Sequence, residues 1–516
     1  MKSHLYAVFV AVPLLIPGAG AAELFVVTSS GDSNHGSLRE AVAAANTTTG
    51  QDIISISVSA PITLSSDIGV HDPVVIEGHG ATLSGYGLVL AIGSSQSAIS
   101  DMAITNCGGD AGIKIISDRN TVRNCTFTSN ANGVLIMGSG NTVGGNSTWG
   151  EGNRLSGNGI GVAIAGGSRN CILGNIIGFS ADQLSAWPNA YCGIFLDAAD
   201  QNCIGKSGAG WGNVIGNNGV GWPYPGGGRD YPAGVTLLHS HQNILQNNYI
   251  GLNTPGDPAP NAQGICVIGS DGNVIGGYRN DSFLERNIIS GNADAGIKLD
   301  ITTGNVIAGN YIGLDGSGAR AVPNQTGISS HEGGNFIGGA NIDSEHLRGN
   351  VISGNSLCGI SVECWEGHIV GNLIGVNAAG NSAVGNGDGL KTHVWHDTTI
   401  GGTDPSLRNV ISGNTQHGIF ASYFGGLTHY IQGNFIGLNE SGTGVIGNGI
   451  SGMFLNDPLY QVGGNGGGEG NVICGESVGI QLSYGAASVS HGTTLTGNWI
   501  GVLGPTTDEF RFLCAR

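Results

Sequence analysis

Charge is scarce in this chain. Only 10% of its 516 residues are Asp, Glu, Lys or Arg, and 36 acids outnumber 18 bases for a formal −18. That balance disfavours nucleic acid and anionic membrane surfaces as partners. Proline is scarce as well, 15 residues against 95 glycines. Without a strict Gly-X-Y period this excludes a collagen-like chain, and 40% apolar residues argue against plain disorder. Aromatics are only 6%, and neither blade-type aromatic signatures nor longer antiparallel strands point to a propeller. The ten cysteines include no CxxC pair, so no metal site is assigned to them. No apolar run after Ile16 is long enough for a membrane span.

What is present begins with an export pattern. Lys2 precedes an apolar run from Leu5 to Ile16, and Ala19-Gly20-Ala21 reads as an A-x-A cleavage site. Residues 1–22 are therefore expected to be a signal peptide, with a secreted or periplasmic destination. Disulfides survive there. Cys171 and Cys203 both stand in Asn-Cys-Ile, one repeat apart, where they could stack and bond. Residues 23–70 read as an N-terminal cap, a strand from Leu24 to Thr28 followed by a helix over 37–46. Ser37 and Glu40 form a capping box in front of an Ala-rich run.

Residues 71–503 read as an array, with a short tail at 504–516. A Gly-apolar line recurs with its Gly at 234, 264, 296, 327, 359, 389, 418, 449 and 479. A longer period rides on it: Asn-x-Ile-Gly recurs at Asn248, Asn310, Asn372 and Asn434, and alternates with lines such as Asn350-Val351-Ile352-Ser353-Gly354-Asn355. Each line of about 30 residues holds three short β-type segments separated by Gly or Asn turns. Such a unit cannot bury its apolar face alone and must stack on its neighbours. The expected fold is all-β, a single parallel β-helix with three short strands per turn and a short N-terminal capping helix.

These lines resemble the right-handed parallel β-helix repeat proteins of the pectate-lyase-like superfamily. Gly36-Ser37-Leu38-Arg39-Glu40-Ala41 is similar to the "CSLREA" element at the start of such secreted chains, with Gly36 in place of Cys. The resemblance implies the fold, and a function among polysaccharide lyases, glycoside hydrolases, uronan epimerases and adhesins. No motif carries over the catalytic residues of any one of these.

The residues themselves single out four consecutive lines. In a strand, alternate residues share a face, so the residues two and four after each Gly point outward. Four after Gly come Asp300, His331, Glu363 and His393; two after come Lys298, Ser329, Ser361 and Lys391. In so weakly charged a chain this clustering points to chemistry. Asp300, Glu363, His331 and His393 are the candidate catalytic groups. Lys298, Lys391, Glu332, Asp388, Trp365, Trp395 and Tyr423 flank them as candidate substrate contacts, joined by Trp222 and Tyr224 from an insertion of about ten residues between Gly193 and Gly234. The expected partner is a polysaccharide or oligosaccharide, whose sugar faces suit exposed aromatics.

Three readings stay open at this level. Asp300 and Glu363, two rungs or about 9.6 Å apart, suit the acid–base pair of an inverting glycoside hydrolase, the preferred reading. Lys391 or His393 as base suits a polysaccharide lyase or uronan epimerase. An adhesin needs neither. No cofactor is required, although Asp300, His331 and Glu363 also form a donor set for a divalent cation.

Overall fold

The computed structural model describes residues 22–220, 231–254, 256–277, 285–331, 333–339, 341–342, 345–346, 349–363, 367–394, 398–423, 429–456, 460–483 and 493–501, with backbone alone at 341, 342, 345, 346, 394 and 423. The expected signal segment up to residue 21 and the tail lie outside this set.

Each coil contributes three short strands. Ala295–Asp300, Val306–Ala308 and Tyr311–Ile312 form one coil, and each pairs in parallel with its counterpart one coil on: Thr326–His331, Phe336–Gly338 and Val351–Ile352. The repetition builds two long parallel sheets of 15 and 31 strands among the described residues. The chain is a parallel β-helix, as the repeat implied.

Three residue types dictate this stacking. The first is the aliphatic residue that follows each line's Gly. Ile297, Ile328, Ile360, Leu390 and Ile419 stack as a fully buried column, part of one core that runs from Val27 to Ile473. The second is the Gly itself. A Cβ on Gly296 would lie 2.7 Å from the carbonyl oxygen of Gly327, and one on Gly327 2.4 Å from that of Gly359. Any side chain there would push successive coils apart, which accounts for part of the glycine excess.

The third is Asn at the turns. Asn310 is fully buried. Its Oδ1 accepts from the backbone N (3.3 Å) and Nδ2 (3.0 Å) of Asn287, and its Nδ2 donates to Asn350 Oδ1 (3.0 Å) and the Ile275 carbonyl (2.8 Å). Columns of such amides satisfy turn groups that would otherwise be orphaned in the interior. A second column runs through Asn324, Asn355, Asn386, Asn414 and Asn448, and passes at its end to Glu476, whose Oε1 accepts from Asn448 Nδ2 at 3.0 Å.

The helix spans Leu38–Ala45 and buries Leu38, Ala41, Val42 and Ala45 in the core. Ser37 Oγ accepts from Glu40 N at 3.2 Å, but Glu40 reaches back to the backbone N of Gly36 (2.5 Å) rather than that of Ser37. Leu24–Val27 pairs in parallel with Asp52–Ile56, so these residues continue the same sheet. Cys171 and Cys203 lie opposite each other on successive coils and are disulfide-bonded, Cα atoms 4.6 Å apart. The other described cysteines are free and buried.

One line differs from expectation. His417 pairs with Ser451 and Ser422 with Asn456, so the line's Gly is Gly452, not Gly449. Met453, expected four after Gly and outward, is instead one after Gly and fully buried. Asn448-Gly449-Ile450 belongs to the turn, because Asn448 is committed to its column by Asn414.

Candidate functional site

Strands 295–300, 326–331, 358–363 and 388–394 are neighbours in the 15-stranded sheet. Their registers place Asp300 opposite His331, and His331 opposite Glu363. Lys298, Ser329, Ser361 and Lys391 form the parallel column two residues earlier. Beneath them Leu299, Ser330, Val362 and Thr392 point into the core. Alternation therefore works as expected, with one surprise: Ser330 Oγ and Thr392 Oγ1 are buried without hydrogen-bond partners. Two hydroxyls thus lie in the core directly under the site, at a cost in stability.

The side chains above form a row rather than a set of pairs. His331 Nε2 lies 3.8 Å from Glu363 Oε2, both about half-exposed. His393 Nδ1 is 2.7 Å from Ser422 Oγ. Among the described residues no ion pair joins Lys298 to Asp300 or Lys391 to Glu363. Each lysine instead lies near an aromatic face: Lys298 Nζ is 5.2 Å from the Tyr231 ring centroid and Lys391 Nζ 5.7 Å from that of Phe420.

Tyr231 was only a loop aromatic in the sequence. Its phenol donates to Asp300 Oδ2 at 2.8 Å. It stands just before strand Ala233–Leu238 and packs over Ala233, Cys266 and Ile268. Tyr191 Oη accepts from its backbone N at 3.3 Å. Tyr231 thus reaches across the sheet face and closes one end of the row. At the other end Phe420 stacks on Phe454, ring centroids 5.1 Å apart and 8° from parallel, with His417 tilted against both. The result is a polar platform four rungs long between two aromatic ends, with a lysine at each. Next to Asp300, Ile301 adopts left-handed backbone (φ 55°), a conformation that costs a β-branched residue about 1–3 kcal/mol. It turns the chain sharply at the edge of the platform.

Asp388 does not join the row. It precedes Gly389 at the opposite end of its strand and accepts from the backbone N of His417 at 3.1 Å. Glu332, Trp365, Trp395, Trp222 and Tyr224 lie outside the described residues, as does the side chain of Tyr423. Among the described residues no group of three or more His, Cys, Asp or Glu is placed to hold a metal. Asp300 is engaged by Tyr231 while Glu363 lies beside His331, so the three suggested donors do not converge.

The family model described as "Periplasmic copper-binding protein (NosD)" matches residues 45–228 and stops short of the platform. The described free thiols of that stretch do not suit copper. These thiols, Cys107, Cys125 and Cys192, are buried, and burial pushes them up to about 11, about 12 and about 12, against the thiolate a metal needs. No curated protein matches the chain. Solved structures do. The enzymatically active domain of tailspike protein 2 from bacteriophage CBA120 aligns with a TM-score of 0.42 at 10% identity, over 62% of this chain and 48% of that one. The periplasmic alginate epimerase AlgG gives 0.31 at 12%, over 84% and 77%. An alginate lyase from Paenibacillus sp. str. FPU-7 gives 0.31 at 14%, over 85% and 98%. The chain thus spans about half the length of the first of these. Among the described residues no helix is long and apolar enough to cross a membrane.

Proposed function

We propose that the protein is an exported carbohydrate-active enzyme that binds a polysaccharide along the platform and hydrolyses it by inversion. The observation that carries this reading is the register Asp300–His331–Glu363 on three successive rungs. It separates the two carboxylates by about 9.6 Å of backbone, at the upper end of the spacing that admits both a sugar and a water. Tyr231 donates to Asp300, so Asp300 acts as an acceptor there, which supports the role of general base that activates water. Glu363, on the more open side, is then the acid that protonates the leaving oxygen. His331 stands between them, with its Nε2 3.8 Å from Glu363 Oε2. Phe420, Phe454 and Tyr231 offer ring surface to sugars at the two ends.

A second reading has its own support. Lys298 and Lys391 bracket the row, and Ser422 orients His393. A uronate between the lysines, with His393 or Lys391 taking the proton alpha to its carboxylate, would make the protein a lyase or epimerase. One panel separates the readings. Wild type, Asp300→Asn and Glu363→Gln are incubated with neutral and acidic polysaccharides, and products are followed by mass spectrometry and ultraviolet absorbance. Saturated products, lost about a hundredfold or more in both variants, support hydrolysis. Unsaturated ends select the lyase. Glycan binding without any product, equal in all three proteins, would leave an adhesin.

A further inference from the structure

On another face of the coil the side chains that point away from the central core are apolar, and Ile288, Tyr311, Val351 and Val410 among them are buried. Tyr249, Ile288, Tyr311, Val351, Leu373, Val410 and Phe435 follow one another rung by rung. Two cavities lie end to end along them, about 320 and 710 Å³, with Arg286 and Tyr311 in the walls of both. Arg286 lies 3.7 Å above the Tyr311 ring and donates through Nε to the Gly309 carbonyl at 3.2 Å. Four rungs on, the arrangement is repeated. Arg408 lies 3.9 Å above the Phe435 ring and donates through Nε to the Gly433 carbonyl at 3.0 Å. Both guanidinium groups are thus oriented by a ring and a carbonyl, in a chain where acids outnumber bases two to one.

We infer that this groove is a second binding site, remote from the platform, for an extended acidic oligosaccharide. Oriented guanidinium forks suit planar carboxylates or sulfates. Their strands are four spacings apart, about 19 Å, which calls for a ligand with anions at intervals rather than a single ion. Between them half-buried Leu373 and the edges of Val351 and Val410, which are otherwise buried, form a narrow apolar floor, and Ser406 adds a hydroxyl at the rim. The one carboxylate of the larger cavity, Glu440, gives the groove a polarity. An extended peptide fits less well, because the floor strands spend their ladder bonds on neighbouring rungs and offer no edge for strand addition. The inference does not depend on which reaction the platform performs.

The test uses the full chain and size-fractionated oligogalacturonate, with neutral cello-oligosaccharide and inorganic phosphate as comparisons, read by titration calorimetry. Oligogalacturonate is expected to bind, cello-oligosaccharide not, and phosphate not to compete at equal concentration. Arg286→Ala and Arg408→Ala should each weaken binding roughly tenfold or more. Leu373→Trp, which fills the floor but leaves both arginines in place, should block it. Lys298→Ala with Lys391→Ala on the platform should leave the groove's binding component intact. Thermal unfolding checks that every variant is folded. The inference is overturned if a folded variant carrying both Arg286→Ala and Arg408→Ala binds like wild type. It is also overturned if the lysine pair removes all binding, or if phosphate competes fully. Each outcome is separable from the hydrolysis reading, which rests on Asp300 and Glu363 activity.

Discussion

Tyr231 donates a hydrogen bond of 2.8 Å to Asp300 across a separation of 69 residues. The two meet because Tyr231 stands just before strand Ala233–Leu238, two rungs below the strand that carries Asp300. If Asp300 is the base, that donor holds the carboxylate's aim. Tyr231→Phe should therefore lower kcat about tenfold, the worth of one hydrogen bond to a charged group, with KM changed little. Steady-state kinetics on the polysaccharide found in the panel decide it. An unchanged kcat would remove Asp300 from the base role or Tyr231 from its support.

The platform shows how far residues alone can specify a site. Gly296, Gly327, Gly359 and Gly389 could be aligned by eye, and the observed pairing of Asp300, His331 and Glu363 follows from that alignment. Stacking makes this possible, because each coil repeats its neighbour's backbone and an outward residue stays outward. Gly449 failed where two Gly-apolar pairs lie three residues apart, and only the committed amide of Asn448 decides which one starts the strand. Tyr231 was not legible as a partner of Asp300. It belongs to an insertion, which has no register to inherit, and its contact is made in space rather than along the repeat. The one signal was indirect: an aromatic next to the longest interval in the array. The groove was hidden for a related reason. Arg286 and Arg408 stand before Asn287 and Asn409, but the rings they cover come from the next coil.

The amide columns predict a local weakness. Asn310→Ala would remove its bonds to Asn287, Asn350 and the Ile275 carbonyl and leave their buried groups unpaired. The expected cost is about 2–4 kcal/mol. A solenoid feels such a loss mostly in adjacent coils. Hydrogen exchange should accelerate in strands Val306–Ala308, Tyr311–Ile312 and Val351–Ile352 and much less near residue 100. Uniform acceleration along the whole chain would contradict nearest-neighbour stacking.

The disulfide predicts a redox-dependent stability. Cys171 and Cys203 are 32 residues apart in sequence, and closing a loop of that size in the unfolded chain stabilises by about 3–4 kcal/mol on the chain-entropy model. Reductant, or Cys171→Ser with Cys203→Ser, should lower Tm by similar amounts, and reductant should do nothing further to the double variant. A wild-type Tm indifferent to reductant would mean that the bond is not formed in the native protein.

Glu476 predicts an alkaline weakness at the C-terminal coils. It stands where an Asn column would continue, with Oε1 accepting from Asn448 and Oε2 enclosed without a partner. The residue as a whole is half-buried, yet Oε2 is enclosed and Oε1 is tied to the column through Asn448. Burial is the main cause that pushes its carboxyl up, from 4.5 to about 8. The folded protein therefore holds this proton while the unfolded chain has released it. Stability from this group is full below pH 4.5, falls as pH rises and is lost through about pH 8. The loss is bounded at about 5 kcal/mol, and partial exposure reduces it. Glu476→Gln keeps an acceptor for Asn448 and replaces the enclosed Oε2 with an amide donor that needs no ionisation. Denaturant unfolding between pH 5 and 9 should show wild type weakening toward the alkaline end while the variant stays level. Parallel pH profiles for the two proteins would rule out Glu476 as the source.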